Sequence, residues 1–298
     1  MIINKRIPFR FLLFKIRLEL IFIILYSIII EVLDEYFHIR NMSIPIAVPS
    51  FIGTTISLIL AFRTNHAYDR WWEARKIWGA IINDSRSLIR QVINLPLIEK
   101  NSELLEFQKN FTYRQIAWCY ALGDSLRDQL NLQKLEKYFP ISRIKGQENI
   151  PNAILFLHSE EIREACKKGW FNSYQQICIE ETIVRLCDSM GKCERIKKTI
   201  FPRIYSVFVQ TLLYLFVAIL PFGLIDYFGY TEAIIITALS SPFFMLEKAA
   251  VAMQDPFENT AHDIPVTNIA MTIEANLKQM LGEDVKTPPP KIEKFYIL

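Results

Sequence analysis

The sequence is poor in the residue types that enzymes and metal sites use. It has four histidines, and they lie in different segments of the chain. It has no glycine-rich phosphate loop, no G-x-S-x-G and no H-E-x-x-H motif. The five cysteines form no C-x-x-C pair, and no histidine lies at zinc-ligand spacing from them. We therefore expect no catalytic centre, no metal and no cofactor.

Net charge and glycine are also low, whereas apolar residues are abundant. The chain has 298 residues, a net charge of +3 and 9 glycines, against 21 phenylalanines and 51% hydrophobic residues. So small a positive charge does not indicate a nucleic-acid partner. The mean hydropathy of +0.19 favours a helical protein embedded in a lipid bilayer, with a sizeable part outside the membrane.

Four apolar runs are candidates for membrane spans. Residues 41–62 and 204–225 carry no charge, and each run is long enough to cross a bilayer, which takes about 20 helical residues. We place the second span at about 43–62, after a shorter first span at about 18–33. Residues 233–246 are apolar but few. Their pairing with 204–225 through a short turn predicts a second membrane hairpin.

These spans divide the chain into four parts. Residues 1–62 hold an amphipathic N-terminal segment and the first hairpin, 63–203 a helical region, 204–246 the second hairpin, and 247–298 a last helix with a proline-rich tail. Lysine and arginine are dense before the first span, after the second and before the third, but rare in the two short loops. By the positive-inside rule, we expect a multi-pass protein of the plasma (inner) membrane with both termini and the helical region in the cytoplasm.

The region outside the spans reads as helical throughout. Apolar spacing predicts helices over 66–95, 102–130 and 159–190, with the segment 140–151 as the main interruption. Gly191 is the expected C-terminal cap of the third of these helices. Asp263 is the expected N-terminal cap of a final amphipathic helix, which Gly282 ends. The fold class is therefore an all-α membrane protein with four transmembrane helices and a cytoplasmic helical bundle.

One face of the second span has a spacing of four residues. Thr54, Leu58 and Phe62 follow one another by about one helical turn. They could pack against neighbouring helices within one subunit. Alternatively, identical helices from several subunits could surround an axis, so that each position becomes a ring and the rings form an apolar constriction.

Several long stretches resemble the bestrophin family, particularly its bacterial members. They are residues 61–75, which read AFRTNHAYDRWWEAR, residues 83–86, 193–196 with Pro202, and 255–265 with its Asp-Pro-Phe. The resemblance covers nearly the whole chain. Its most distinctive part is the signature segment, which we define as Asp69, Arg70, Trp71, Trp72 and Glu73.

The resemblance implies a homopentameric ion channel with one axial pore. The three neck positions of the family fall on Thr54, Leu58 and Phe62, and a second, cytoplasmic constriction falls near Tyr174. The neck of the family is usually wholly apolar, so Thr54 is a departure. Animal bestrophins conduct anions and bacterial relatives include cation channels, so the sign of the permeant ion stays open. The partners implied are further copies of the chain, the bilayer and inorganic ions.

Two further interpretations concern charged residues. The calcium clasp of animal bestrophins is an acidic run, but this chain has only Asp255, Glu258 and Asp263 there, too few carboxylates for Ca²⁺. The arginines after the second span could form an anion-attracting surface, or they could pair with Asp69, Glu73 and Asp84. They are Arg63, Arg70, Arg75 and Arg86.

The alternative to a channel is a membrane-anchored helical scaffold or signalling protein that conducts nothing. A carrier is disfavoured because the two hairpins show no internal repeat.

Overall fold

The computed structural model describes residues 9–37, 43–199, 201–228, 231–286, 289, 292–293 and 296–297. Within them the chain is almost entirely helical. The α-helices are α1 (Phe9–Lys15), α2 (Arg17–Phe37), α3 (Ala47–Asn94), α4 (Ser102–Leu126), α5 (Ile150–Lys167), α6 (Ser173–Lys198), α7 (Arg203–Phe228), α8 (Glu232–Gln254) and α9 (Val266–Met280). The only strands in these residues are β1 (Ile292–Glu293) and β2 (Tyr296–Ile297), an antiparallel pair.

The chain forms two compact units, which α3 connects. One unit, here called the apolar unit, comprises residues 4–70 and 200–254, and the other, the charged unit, comprises mainly 71–199 and 255–298. The apolar unit contains α2, the first half of α3, α7 and α8. The charged unit contains the second half of α3 with α4, α5, α6 and α9.

Helix α3 is longer than either helix that we expected in its place. The sequence predicts a span ending at Phe62 and a separate helix from His66, but α3 is continuous from Ala47 to Asn94. Residues 63–94 contain no proline, and arginine and alanine, which are good helix formers, recur along them. The change from apolar to charged residues therefore does not end the helix. It accompanies the passage of α3 from the apolar unit to the charged unit.

The predicted helix over 159–190 is wrong, because two helices meet inside that range. Helix α5 ends at Lys167, and Gly169 follows with a positive φ of 77°. Helix α6 then begins with a capping box, in which Asn172 and Gln175 each accept the other's backbone N–H at 2.9 and 2.8 Å. Gly191 is not a cap, because α6 continues through it to Lys198.

The structure also corrects the ends of other helices. Helix α4 ends at Leu126 and not at 130, and α8 runs from Glu232 to Gln254, well beyond the predicted 233–246. Asp263 does not cap α9: the helix begins at Val266 without a side-chain cap, and Asp263 instead accepts from Thr260 Oγ1 at 2.6 Å. The proline-rich tail around 287–290 lies largely outside the described residues.

Among the described residues, three helices are long and apolar enough to cross a membrane: α3, α7 and α8. Helix α2 has 21 residues, which is a sufficient length, but it carries Glu19, Glu31, Asp34 and Glu35. The four-span arrangement therefore stays a prediction, with α2 as its least apolar member.

Candidate pore-lining face

The three predicted neck residues lie together on one exposed face of α3. Thr54 is exposed, and Leu58 and Phe62 are 59% and 56% exposed. The opposite face is buried, since Ile56 and Leu60 are each 1% exposed. Within a single chain, the residues spaced by four are therefore not packed against neighbouring helices.

The buried face of α3 explains this orientation. Gly53 is buried, and a Cβ at this position would come within 3.3 Å of the Phe216 ring of α7. Glycine therefore allows a close approach of the two helices, as expected for small residues between membrane helices. Ile56 and Leu60 continue the same contact in one apolar cluster with residues of α7. With this side fixed inside the unit, Thr54, Leu58 and Phe62 must face outwards.

Arg63 does not contribute charge to the exposed face. Its guanidinium is buried and lies 3.3 Å from Glu247 Oε1 of α8, and it donates to Ser206 Oγ of α7 at 3.0 Å. The sequence missed this partner, because Glu247 is 184 positions away along the chain. Both interpretations of the arginines are therefore wrong for Arg63. It is not part of an anion-attracting surface, because it is buried, and its acidic partner is Glu247 and not one of the predicted Asp69, Glu73 and Asp84.

The signature segment joins stretches that are far apart in the sequence. Trp71 Nε1 donates to the backbone carbonyl of His262 at 2.9 Å, and Glu73 accepts from Arg195 Nη2 at 2.7 Å. Trp71 and Trp72 stack with ring centroids 6.4 Å apart. Three of the four resembling stretches, 61–75, 193–196 and 255–265, are thus joined within the charged unit by these bonds.

The other members of the signature segment are nearer the surface. Asp69 and Trp72 are exposed, and Arg70 is half-buried. Exposed aromatic and charged side chains next to an apolar run are typical of a membrane–water interface. This distribution fits the predicted exit of α3 from the bilayer.

The carboxylates near the Asp-Pro-Phe stretch are engaged with the protein. Asp255 accepts from Lys197 Nζ and from the backbone N–H of Phe257, both at 2.9 Å. Burial opposes the charge of Lys197, but the hydrogen bond and the charge of Asp255 outweigh it and raise the pKa of Lys197. Asp263 is fully buried. In the part of the chain that the structure describes, no three His, Cys, Asp or Glu residues are grouped to hold a metal ion.

Tyr174, the position expected for the second constriction, lies in the first turn of α6 and is 86% exposed. Ile177 and Val184 are exposed on the same side of α6, at helical spacing from it. Neither Ile177 nor Val184 was predicted from the sequence as a lining residue. The available signal was their spacing, which is three residues from Tyr174 to Ile177 and seven from Ile177 to Val184. This signal was insufficient, because apolar residues on a buried face of a helix show the same spacing as those on an exposed face.

Comparison with known proteins bears on these features. The model of the family described as bacterial/fungal bestrophin protein matches residues 11–279. The chain belongs to the bestrophin family. It is 31% identical over 274 residues to the voltage-dependent anion channel-forming protein YneE of Escherichia coli O157:H7, covering 90% of this chain and 88% of that protein.

Two further relatives show the same extent of similarity. A voltage-dependent anion channel-forming protein of Nostoc, alr2987, is 29% identical over 250 residues, which is 80% of each chain. The crystal structure of a bacterial bestrophin homologue from Klebsiella pneumoniae superposes with a TM-score of 0.84, at 27% identity, over 91% of this chain and all of that chain. The predicted family and the all-helical fold class are thereby confirmed.

Proposed function

We propose that this bestrophin is a homopentameric channel of the plasma (inner) membrane, through which small monovalent ions pass passively, with anions as the preferred ions. The exposed face of α3 carries this proposal. Leu58 and Phe62 are large apolar side chains that one chain leaves uncovered, while the other side of the same helix is tightly packed. Five such faces around an axis give stacked rings with an apolar narrowing.

The preference for anions is supported by relatives of this chain. YneE and alr2987 are both named as voltage-dependent anion channel-forming proteins. The neck itself offers no charge of either sign, because Thr54, Leu58 and Phe62 are neutral and Arg63 is buried against Glu247. Selectivity must therefore come from the ease with which an ion loses water in the neck, and large, weakly hydrated anions should pass most readily.

Four spans per subunit, with both termini in the cytoplasm, complete the proposal. The length of α2 and its pairing with α8 through Glu19 and Lys248, whose charged atoms lie 2.8 Å apart, support α2 as the fourth span. Phe14 of α1 and Arg17, the first residue of α2, lie in a cation–π contact. Such aromatic and basic residues are typical of a helix end at the membrane surface.

A second constriction is proposed on α6, at Tyr174 or one turn further at Ile177. Both side chains are exposed, and neither has a packing role in one chain that would explain it. Comparing Tyr174→Ala with Ile177→Ala distinguishes the two positions. The variant that removes the narrower ring should raise the single-channel conductance more.

The decisive experiment is a recording from the purified full-length protein in planar bilayers. We expect discrete conductance steps, and a reversal potential under a KCl gradient that lies towards the chloride equilibrium potential. Phe62→Ala and Leu58→Ala should increase the current several-fold. A ring of smaller side chains leaves a wider opening, and water leaves a wider opening less readily. A thiocyanate gradient should give a larger shift than a chloride gradient.

Ile234→Ala is a control for the two neck variants, because it shortens an apolar side chain that is 71% exposed on α8, outside the neck, and it should leave the current unchanged. Size-exclusion chromatography with light scattering should give five chains per particle. A monomer with silent bilayers would favour the scaffold alternative. A reversal potential that lies towards the potassium equilibrium potential would support the channel function but contradict the proposed preference for anions.

A further inference from the structure

Arg63 and Glu247 form a buried ion pair directly after the neck face of α3. Their side chains are 1% and 3% exposed, and Arg63 Nη1 lies 3.3 Å from Glu247 Oε1. Arg63 also donates to Ser206 Oγ of α7, and its guanidinium lies 5.6 Å from the ring centroid of Phe201. One side chain thus connects α3, α7 and α8, each of which is apolar and long enough to span a membrane.

A buried ion pair is a costly way to stabilise a helix bundle. Removing two charges from water costs about as much as their attraction returns, so an apolar pair of similar size is often as stable. An ion pair with additional hydrogen bonds does, however, require one geometry. The apolar neighbours Ile56 and Leu60 determine which face of α3 is buried, but their van der Waals contacts tolerate small rotations of the helix about its axis. The pair is therefore suited to fixing an orientation.

The orientation that it fixes is that of Phe62. Successive residues of an α-helix point about 100° apart, because there are 3.6 residues per turn. With Arg63 held on α7 and α8, α3 cannot rotate about its axis at this level. Phe62, the preceding residue, is thereby kept on the exposed face, where it is 56% exposed.

We propose that Arg63 and Glu247 are positioning residues of the neck, which hold the rotation of α3 so that Phe62 faces the pore. The proposal rests on the channel function given above. The pair acts through helix rotation and not through its charge, since the permeant ion does not reach a guanidinium that is 1% exposed. Breaking the pair therefore alters how well the neck closes but leaves ion selectivity unchanged.

The test is a double-mutant cycle on the full-length protein in planar bilayers with KCl. Arg63→Gln and Glu247→Gln should each change the ratio of closed to open time by about tenfold, because each leaves a buried charge without its partner. In the double variant two amides can hydrogen-bond to one another. Its ratio should return to within about threefold of the wild type, since coupled residues do not act additively.

The neighbouring pair on α8 supplies a matched control. Lys248 Nζ lies 2.8 Å from Glu19, but these side chains are 37% and 15% exposed. Glu19→Gln combined with Lys248→Gln should change the closed-to-open ratio by less than about twofold, because this pair is more exposed than Arg63 and Glu247 and includes no residue of α3. Reversal potentials should be the same in all variants. A shift with Arg63→Gln alone would make Arg63 a pore charge and overturn the proposal.

A readout without conduction separates this proposal from the channel function. Phe62→Cys is labelled with a water-soluble maleimide, and the labelled peptide is quantified by mass spectrometry with and without Glu247→Gln. We expect the labelling rate to change at least about threefold. If the wild type is silent in bilayers, the channel function fails, but this rate still decides whether the pair orients α3.

Three further outcomes would overturn the proposal. They are additive effects of the two substitutions in the cycle, an unchanged labelling rate, and a particle whose assembly requires only one of the two charged residues. If the single variants do not assemble, the double variant carries the test. It must then form the wild-type particle and label at position 62 at the wild-type rate. A double variant that also fails to assemble contradicts the pairing.

Discussion

The two units of this protein are both built from α-helices around an apolar core, but they differ in the side chains that they leave exposed. The apolar unit leaves large hydrophobic residues exposed, such as Leu18, Phe51 and Ile234, and buries the Arg63–Glu247 ion pair. The charged unit buries large apolar side chains such as Trp78, Trp118 and Phe111, and many of its ion pairs are exposed, for example Arg195 with Glu73. Exposure thus has a different meaning in each unit, because lipid favours apolar surface and water does not.

Helix α3 shows this contrast within one element. In its first half Leu58 and Phe62 are exposed, whereas in its second half Trp78 is fully buried in the core of the charged unit. The following predictions test the contrast, from the largest expected effect to the smallest.

The largest effect is expected from Trp78→Ala. Trp78 is fully buried and belongs to the core of the charged unit, so the loss of its indole ring leaves a large cavity. We expect the free energy of unfolding to fall by about 3–5 kcal/mol. Trp72→Ala is the matched control, since Trp72 is exposed, and it should cost less than about 1 kcal/mol. Circular dichroism during urea unfolding in detergent measures both, and equal losses would contradict the contrast.

A second comparison uses the two faces of α3. Leu60→Ala removes a side chain that is 1% exposed and should destabilise the protein by about 2–4 kcal/mol. Leu58→Ala, two residues earlier, should change stability little but increase the ionic current. Unfolding and bilayer recordings on the same preparations measure both quantities. If Leu60→Ala increased the current and Leu58→Ala destabilised the protein, the two faces would be exchanged.

A third prediction concerns pH and the charged unit. Glu274 accepts hydrogen bonds from Tyr120, Tyr138 and Lys278 at 2.7–2.8 Å. Burial raises the pKa of Glu274, but these hydrogen bonds outweigh burial, and the net result is a pKa below the ordinary 4.5. The group therefore stabilises the fold at neutral pH, and this contribution is lost as the pH falls below about 4.5.

On acidification from pH 7 to pH 4, the melting temperature of Glu274→Gln should consequently fall less than that of the wild type. The variant has no carboxylate at this position to protonate. Thermal unfolding at both pH values measures this. Glu99→Gln, at an exposed position, should behave as the wild type does. An identical acid response of Glu274→Gln and the wild type would show that the hydrogen-bonded carboxylate contributes nothing to stability.

The smallest effect is expected from the surface ion pair of the charged unit. Arg195 Nη2 lies 2.7 Å from Glu73 Oε1, but the two side chains are 64% and 43% exposed. Water and salt screen such a pair, so Arg195→Gln should cost less than about 1 kcal/mol in unfolding free energy. Arg63→Gln should cost more. Similar costs for the two variants would remove the distinction between the units.

The sequence by itself determined the family and the helical class, and it placed the three predicted neck residues on one side of a helix. Long charge-free runs can only be helices in a bilayer, because the backbone must satisfy its own hydrogen bonds there. The spacing of Thr54, Leu58 and Phe62 places them on one side of a helix whatever surrounds it. The DRWWEAR stretch pointed to the bestrophins, and the relatives of this chain confirm that assignment.

Local signals were insufficient where tertiary contacts compete with them. The break between α5 and α6 was missed because Gly169 lies within an otherwise helical pattern, and Asn172 is recognised as a cap only with its partner Gln175. Gly191 is a common type of helix end, yet α6 passes through it because its buried face continues to Cys193 and Ile196. Asp263 precedes a helix in sequence, but the fold turns it inwards.

Only the tertiary structure decided which side of the neck helix is free and which charges are hidden. The spacing of α3 allowed either face to be buried, and the packing of Gly53 against Phe216 settled the choice. Arg63 looked like part of a basic surface because its partner Glu247 is distant in sequence. Periodicity depends on neighbours along the chain, whereas burial and ion pairing depend on neighbours in space.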